Sequence, residues 1–167
     1  GALGPTGELG EMNAAELIEI EAIKQVKARY VRCMDEKRWD DWGQVFTEDA
    51  TLDTREDAKD GFHEGRERIQ AFVCAAVSDL ITVHHGHMPE IEITGARSAR
   101  GVWSMEDYLD FESDPPFTIH GRGHYREEHE KGDDRASRIK SLKLTRPWVK
   151  HEGASVQSAY ESGLHVT

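Results

Sequence analysis

Three of the chain's nine histidines stand within four positions, in the stretch Val83-His84-His85-Gly86-His87-Met88-Pro89-Glu90. Imidazole titrates closer to neutrality than any other side chain, so such a cluster points to proton transfer or to metal binding. Histidines at a sheet edge are also commonly just solvated, and the cluster alone does not decide. A carboxylate adds a second signal. Along 98–111, Gly101, Trp103, Met105 and Asp107 share one strand parity, while Val102, Ser104, Glu106 and Tyr108 share the other. Asp107 thus follows a tryptophan and a methionine toward the core, where a carboxylate is costly unless hydrogen-bonded, paired or protonated. Tyr30 is a third candidate, a phenol on the apolar stripe of the first helix.

Which histidine faces inward stays open at this level. Strict alternation groups His85 and His87 with Val83, Ile91 and Ile93 and turns His84 the other way. Gly86 and Pro89 are typical of a bulge, however, and a bulge shifts the parity. His85 and His87, two apart on one strand face, could begin a metal site. No cysteine pair or histidine-bearing helical motif completes it, so no metal is expected. There is no Gly-x-Ser-x-Gly elbow for a serine nucleophile and no phosphate-binding glycine loop. Gly121-Arg122-Gly123 lies within a strand pattern and reads as close backbone packing or a bulge. What remains is acid–base chemistry without a cofactor.

The elements that position these groups fall in a simple order. Asn13 with Glu16 forms a capping-box variant that opens a helix, with Leu17, Ile20, Ile23, Val26, Tyr30 and Cys33 on one stripe. Trp39–Phe46 reads as a short helix anchored by two indoles, ending near 47–49, and 50–53 as a short strand. Thr54–Glu64 is polar and turn-like, a loop with the character of a lid. After Gly65 a further helix carries Ile69, Phe72, Val73, Ala76, Val77 and Leu80 on one face. From Thr82 the period becomes roughly two, giving strands at 82–93, 98–111, 118–130 and 138–148. Short breaks between them imply hairpins and an antiparallel sheet, hence an α+β domain with helices over one face.

The totals fit one domain of 167 residues, expected over 13–150, with a flexible tail at 1–12 and a second tail at 151–167. Hydrophobic residues make up 37% and charged residues 32%, and the formal charge of −11 argues against nucleic-acid and anionic-membrane partners. No apolar run could span a bilayer, and the cytoplasm is the expected location. Cys33 and Cys74 read as small core residues rather than a disulfide.

The order of elements resembles the SnoaL-like division of the nuclear transport factor two-like superfamily over about 16–150. Trp39-Asp40-Asp41-Trp42-Gly43-Gln44-Val45-Phe46-Thr47-Glu48-Asp49-Ala50 and Gly65-Arg66-Glu67-Arg68-Ile69 are typical of it. Within that division the chain is most similar to the bile-acid 7α-dehydratases of the scytalone dehydratase-like branch. The segments Ile20-Glu21-Ala22-Ile23-Lys24, Tyr30-Val31-Arg32-Cys33-Met34-Asp35, His84–Ile91 and Met105-Glu106-Asp107 have near-identical counterparts there in the same order. Thr54 stands where those enzymes carry a cavity tyrosine, and Pro115-Pro116 replaces a glycine-containing turn.

The resemblance implies a cone-shaped barrel of curved mixed or antiparallel sheet with helices over its concave face. It places Tyr30, Asp35, His84 and Asp107 in the cavity. It further implies a cofactor-independent dehydratase acting on a hydrophobic, steroid- or polyketide-like substrate, free or as a coenzyme A thioester. Isomerisation, ring closure and simple ligand binding are the alternatives. In this reading His84 is the base, Asp35 or Asp107 supports it, and the other aspartate is the acid. Apart from the resemblance, the residue pattern predicts that Phe72, Trp103, Met105 and Tyr125, with Tyr30, contribute to a largely apolar pocket, and a bulge at Gly86 would bring His87 near it to orient substrate. Relatives imply a homo-oligomer, a trimer or dimer built through the sheet.

Overall fold

A computed structural model describes residues 13–153. The expected tails at 1–12 and beyond 153 lie outside the described residues. Helix α1 spans Ala14–Asp35, α2 Trp39–Gly43 and α3 Arg66–Val77. The strands are β1 Phe46–Asp53, β2 Phe62–Glu64, β3 Ile81–Gly95, β4 Ser98–Phe111, β5 Phe117–Lys131 and β6 Ser137–Gly153. The chain is α+β as expected, with one six-stranded sheet in the order β2-β1-β6-β5-β4-β3.

Helix α1 starts where its cap residues put it. The Asn13 side chain accepts from the Glu16 amide and the Glu16 carboxylate accepts from the Asn13 amide, so two orphan donors of the first turn are satisfied. Its stripe buries Ile23, Val26, Tyr30 and Cys33 against the sheet, whereas Leu17 stays exposed. Trp42 of α2 and Phe46 at the head of β1 flank the Tyr30 ring at centroid distances of 5.4 and 6.0 Å. These aromatic contacts lock the C-terminal half of α1, and so the position of Asp35 at its end.

Strands β3 to β6 form the expected antiparallel meander. The sheet is nevertheless mixed, because β1 runs parallel to β6. Helix α2 ends at Gly43 rather than at Phe46 and α3 ends at Val77, short of Leu80, and three strand boundaries also differ from the sequence reading. The Ile139 amide donates to the Val45 carbonyl at 2.8 Å, which seeds pairing early, so β1 begins at Phe46 rather than at 50. The stretch expected as loop ends in β2, which pairs antiparallel with β1 through Thr51 and Glu64. β6 continues to Gly153, opposite Phe117, past the expected strand end at 148 and domain limit of 150.

The glycines of β5 have a packing reason. A Cβ on Gly123 would overlap the Thr145 carbonyl, where the β5–β6 register shifts. One on Gly121 would overlap Nη2 of Arg146 and Oδ1 of Asp107. The bare backbone there makes room for an ion pair on the inner face.

Candidate active site

The inner face of β3 is settled by a bulge. His84 lies opposite Asp107 of β4, His85 opposite Glu106 and His87 opposite Ser104, and the register then shifts before Glu90. Met88 takes a left-handed backbone at φ 35°, and Met88 with Pro89 absorbs the shift. Upstream of it His84 points inward and is buried, at 8% exposure. Downstream, Ile91 and Ile93 resume the inward side. His85 and His87 are exposed on the outer face, with ring centroids 5.3 Å apart.

Asp35, at the last position of α1, grips His84 at two points. Its Oδ2 accepts the His84 backbone N–H at 2.9 Å, and its Oδ1 lies 2.7 Å from His84 Nδ1. The Thr82 hydroxyl donates to the same Oδ1 at 2.9 Å and itself accepts from Lys37 Nζ at 2.7 Å. Burial pushes the Asp35 carboxyl up. The side-chain and backbone hydrogen bonds from His84, the charge its ring carries when protonated and the Thr82 hydroxyl outweigh that, and leave the carboxyl below the usual aspartate range. With Nδ1–H donated to a carboxylate, Nε2 is left as the basic nitrogen.

Asp107 is buried at 4% and faces the same side. Its partner comes from far along the chain and was not among the expected site residues: Arg146 of β6 donates from Nη2 to Asp107 Oδ1 at 2.9 Å. Arg146 Nη1 also lies 3.3 Å from Asp57, in the loop between β1 and β2, while the Arg146 backbone N–H donates to Glu56 at 3.1 Å. The loop expected as a lid is thus tied down on a buried guanidinium. Burial pushes the Asp57 carboxyl up, and although Arg146 pulls the other way, Asp107 and Glu56 add to the rise. Nε of Arg146 is buried and has no partner among the described residues. Leu142, Leu144 and Arg146 share one strand parity, the same signal that singled out Asp107, so Arg146 could have been found that way.

Tyr30 sits beside this group. Burial raises its phenol well above the ordinary value, and the charges of Glu127, Asp107 and Asp35 add to the effect, so it stays an O–H donor. The structure therefore brings Tyr30, Asp35, His84 and Asp107 to one region and adds Arg146 and Asp57.

The residues expected to form the apolar pocket behave differently. Trp103, Met105 and Tyr125 are each 2% exposed and pack as core under α1. Phe72 is half-buried, its ring tilted against that of His63 at a centroid distance of 4.0 Å. His87 is turned away from His84 altogether, because it precedes the bulge and keeps the outward parity. Two cavities open at the β3–β4 turn, at the other end of the strands. One is a hollow of about 40 Å³ bordered by Ile23, Ala99 and His129, and the other an open groove of about 820 Å³ along Arg97–Arg100 and Glu128–Lys131. None of the residues expected in the pocket borders either.

A second buried network lies between site and hollow. Lys27 Nζ meets Glu127 Oε1 at 2.5 Å, with side chains 3% and 0% exposed, and His129 Nε2 meets Glu127 Oε2 at 2.9 Å. The ammonium also sits 3.3 Å from the Tyr125 ring centroid and 4.0 Å from that of Tyr30. Sequence reasoning missed it, although Lys27 falls within the α1 stripe and Glu127 and His129 continue the parity of Tyr125.

Solved structures with the same architecture include one provisionally assigned as a scytalone dehydratase from Novosphingobium aromaticivorans DSM 12444. It is 18% identical, with a TM-score of 0.72 over 80% of this chain and 87% of that one. The hexachlorocyclohexane dehydrochlorinase LinA type 2 is 14% identical, with a TM-score of 0.70 over 83% and 91%. The Kfla4162 protein of Kribbella flavida is 20% identical, with a TM-score of 0.73 over 81% and 95%. At these identities the likeness is one of fold. The family match is to the SnoaL-like domain and runs over residues 15–143, most of the chain, and with it the chain belongs to the SnoaL-like family.

Proposed function

We propose that this protein is a cofactor-independent lyase that eliminates water from a hydrophobic ring substrate by acid–base chemistry. The observation that carries the reading is the two-point hold of Asp35 on His84. A carboxylate that fixes both backbone and Nδ1 of a buried histidine sets its tautomer and orientation and stabilises the imidazolium that proton abstraction creates. Surface histidines need no such fixture. Elimination is also what the names of two fold neighbours describe, one a dehydratase and one a dehydrochlorinase. The sequence likeness to the bile-acid 7α-dehydratases favours a steroid-like ring system.

In this reading His84 Nε2 takes a proton from a carbon made acidic by an adjacent or vinylogous carbonyl. The C–H electrons pass into an enolate, whose oxygen is met by the Tyr30 hydroxyl and the Nε–H of Arg146, which has no partner among the described residues. The enolate then collapses to a conjugated double bond as the C–O bond to the leaving hydroxyl breaks. The proton that lets it depart as water comes from Asp57, the carboxyl that burial pushes up. This moves the acid role from Asp107, whose Oδ1 is held by Arg146. Asp107 then serves to orient the guanidinium. His84 is nearly enclosed, so the loop from Thr54 to Gly61 has to swing off Arg146 to admit substrate and then close again, which returns Asp57 to its buried place beside Arg146.

A panel of β-hydroxy ketones and β-hydroxyacyl coenzyme A thioesters with steroid and polyketide skeletons tests the proposal. Turnover is read from the absorbance of the conjugated product, and proton abstraction from deuterium uptake in heavy water. Water loss that Asp35→Asn suppresses supports the reading. Deuterium uptake without water loss would favour an isomerase using the same residues. Neither signal above buffer across the panel, or turnover unaffected by Asp35→Asn, overturns it.

A further inference from the structure

The outer face of the sheet carries a group of side chains that the acid–base reading does not use. His85 and His87 project from β3 on the side away from His84, and Glu106 of β4 stands directly opposite His85. One nitrogen from each histidine and one Glu106 oxygen lie within 4.8 Å of one another. His87 Nε2 is already 3.6 Å from Glu106 Oε2.

We infer that His85, His87 and Glu106 form a binding site for a divalent transition-metal ion, zinc in particular. Imidazole and carboxylate are its ordinary ligands, with metal–ligand distances of about 2.0–2.2 Å, so two ligand atoms on a tetrahedral ion sit about 3.3 Å apart. Closing the group to that spacing takes only small rotations. Both histidines are exposed, and the His87 side chain is half open to solvent. Two histidines at i and i+2 on one strand with a third ligand across the ladder need no backbone movement, because the pleat already points all three the same way.

The carboxylate is prepared for this role. His120 Nε2 lies 2.7 Å from Glu106 Oε1, and the Tyr108 hydroxyl donates to that same oxygen at 3.1 Å. The Tyr108 ring stacks on His120 at 4.1 Å, and Trp148 meets His120 edge-on at 5.2 Å. Oε1 is therefore occupied and Oε2 is the free oxygen, on the side of His87. Partners that fix a ligating carboxylate in this way set ligand geometry in metal sites generally. One cation opposes binding, since Arg122 Nε is 3.9 Å from Oε1, but its guanidinium is laid over the Trp148 ring at 4.4 Å. The formal charge of −11 on the chain acts in the ion's favour. Three protein ligands leave one position on the ion for water. The selection runs against magnesium, which prefers an oxygen shell.

The test is titration of the full chain, treated with chelator and dialysed, with Zn²⁺ in a calorimeter, repeated with Mg²⁺. The expected result is one Zn²⁺ per chain and no Mg²⁺ binding. His87→Ala and Glu106→Gln should abolish the stoichiometric phase. His120→Asn, which removes the imidazole bond to Glu106 together with the ring contacts to Tyr108 and Trp148, should weaken affinity roughly 10–100-fold. His151→Ala, on β6 away from the group, should leave the isotherm unchanged. His87 and His151 are exposed, Glu106 is half-buried and His120 is buried, and circular dichroism verifies the fold of each variant. Absence of a stoichiometric phase in the wild type overturns the inference, as does an isotherm that survives both His87→Ala and Glu106→Gln.

Discussion

Replacing Lys27 by methionine keeps the length and apolar stem of the side chain and deletes only the ammonium. The deletion leaves Glu127, whose side chain is 0% exposed, without its closest counter-charge. At 2.5 Å and an effective dielectric near 20, attraction between the two charges is about 7 kcal/mol. Desolvating each ion costs several kcal/mol, so the intact pair contributes little net stability. Removing one partner forfeits the attraction but keeps the cost of burying the other, a loss of about 3–5 kcal/mol. The lost contact of the ammonium with the Tyr125 ring adds to it. At about 2–4 °C per kcal/mol for a chain of this size, Tm should fall by roughly 6–20 °C. The double variant Lys27→Met/Glu127→Gln removes both charges, and the introduced amide can still bond His129. It should return to within about 2 kcal/mol of wild type. Chemical denaturation of wild type, both single variants and the double variant closes the cycle. A stable Lys27→Met protein, or a double variant whose loss equals the sum of the singles, would refute the reasoning.

Other outcomes follow from the same structure. Asp35 is held below its ordinary value, so the stability it contributes is complete above an unfolded pKa of about 3.9 and is lost as pH falls through the lower folded value. Thermal melts between pH 6 and pH 3 should drop more steeply for wild type than for Asp35→Asn. Equal slopes would mean the Asp35–His84 contact contributes nothing. Arg146→Gln should lower kcat by roughly 10²–10³-fold, the usual loss for an oxyanion donor, and an unchanged kcat would remove Arg146 from the site. Gly121→Ala should lower kcat too, because the added Cβ overlaps both members of the Asp107–Arg146 pair. Unaltered turnover would show that the pair can shift freely. Chelator treatment that strips the outer face should leave lyase activity intact, since His85 and His87 point away from His84. Loss of activity restored by Zn²⁺ would contradict a metal-free reaction.

Much of this arrangement could be read from the residues, and the rest fails for identifiable reasons. The caps of α1, the hairpin meander and the inward parity of Asp107 are local properties, set by spacing and turn chemistry. The parity of β3 is also local, but it depends on where a bulge falls. Gly86 and Pro89 announced one without fixing its place, and Met88 turned out to take the unusual backbone. The resemblance to known enzymes put Asp35 beside His84 as one of two aspartates that could support it, and geometry narrowed the choice to Asp35. Lys27, Glu127 and Arg146 were passed over because a lone charge in an amphipathic element is usually solvated. Each is instead neutralised by a partner far along the chain: Lys27 and Glu127 are 100 positions apart, and Asp107 and Arg146 are 39 apart. The apolar pocket was inferred from parity, which reports the inward side of a sheet but not whether side chains fill the space there. Trp103, Met105 and Tyr125 do fill it.

The most direct test of the central claim compares His84→Ala with His151→Ala on whichever substrate the panel identifies, measuring kcat and deuterium uptake together. If His84 is the base positioned by Asp35, His84→Ala should lose roughly 10²–10⁴-fold in kcat and its deuterium uptake. His151→Ala should match wild type, and both variants should retain the fold. Equal kcat and equal uptake in the two variants would contradict the assignment of His84.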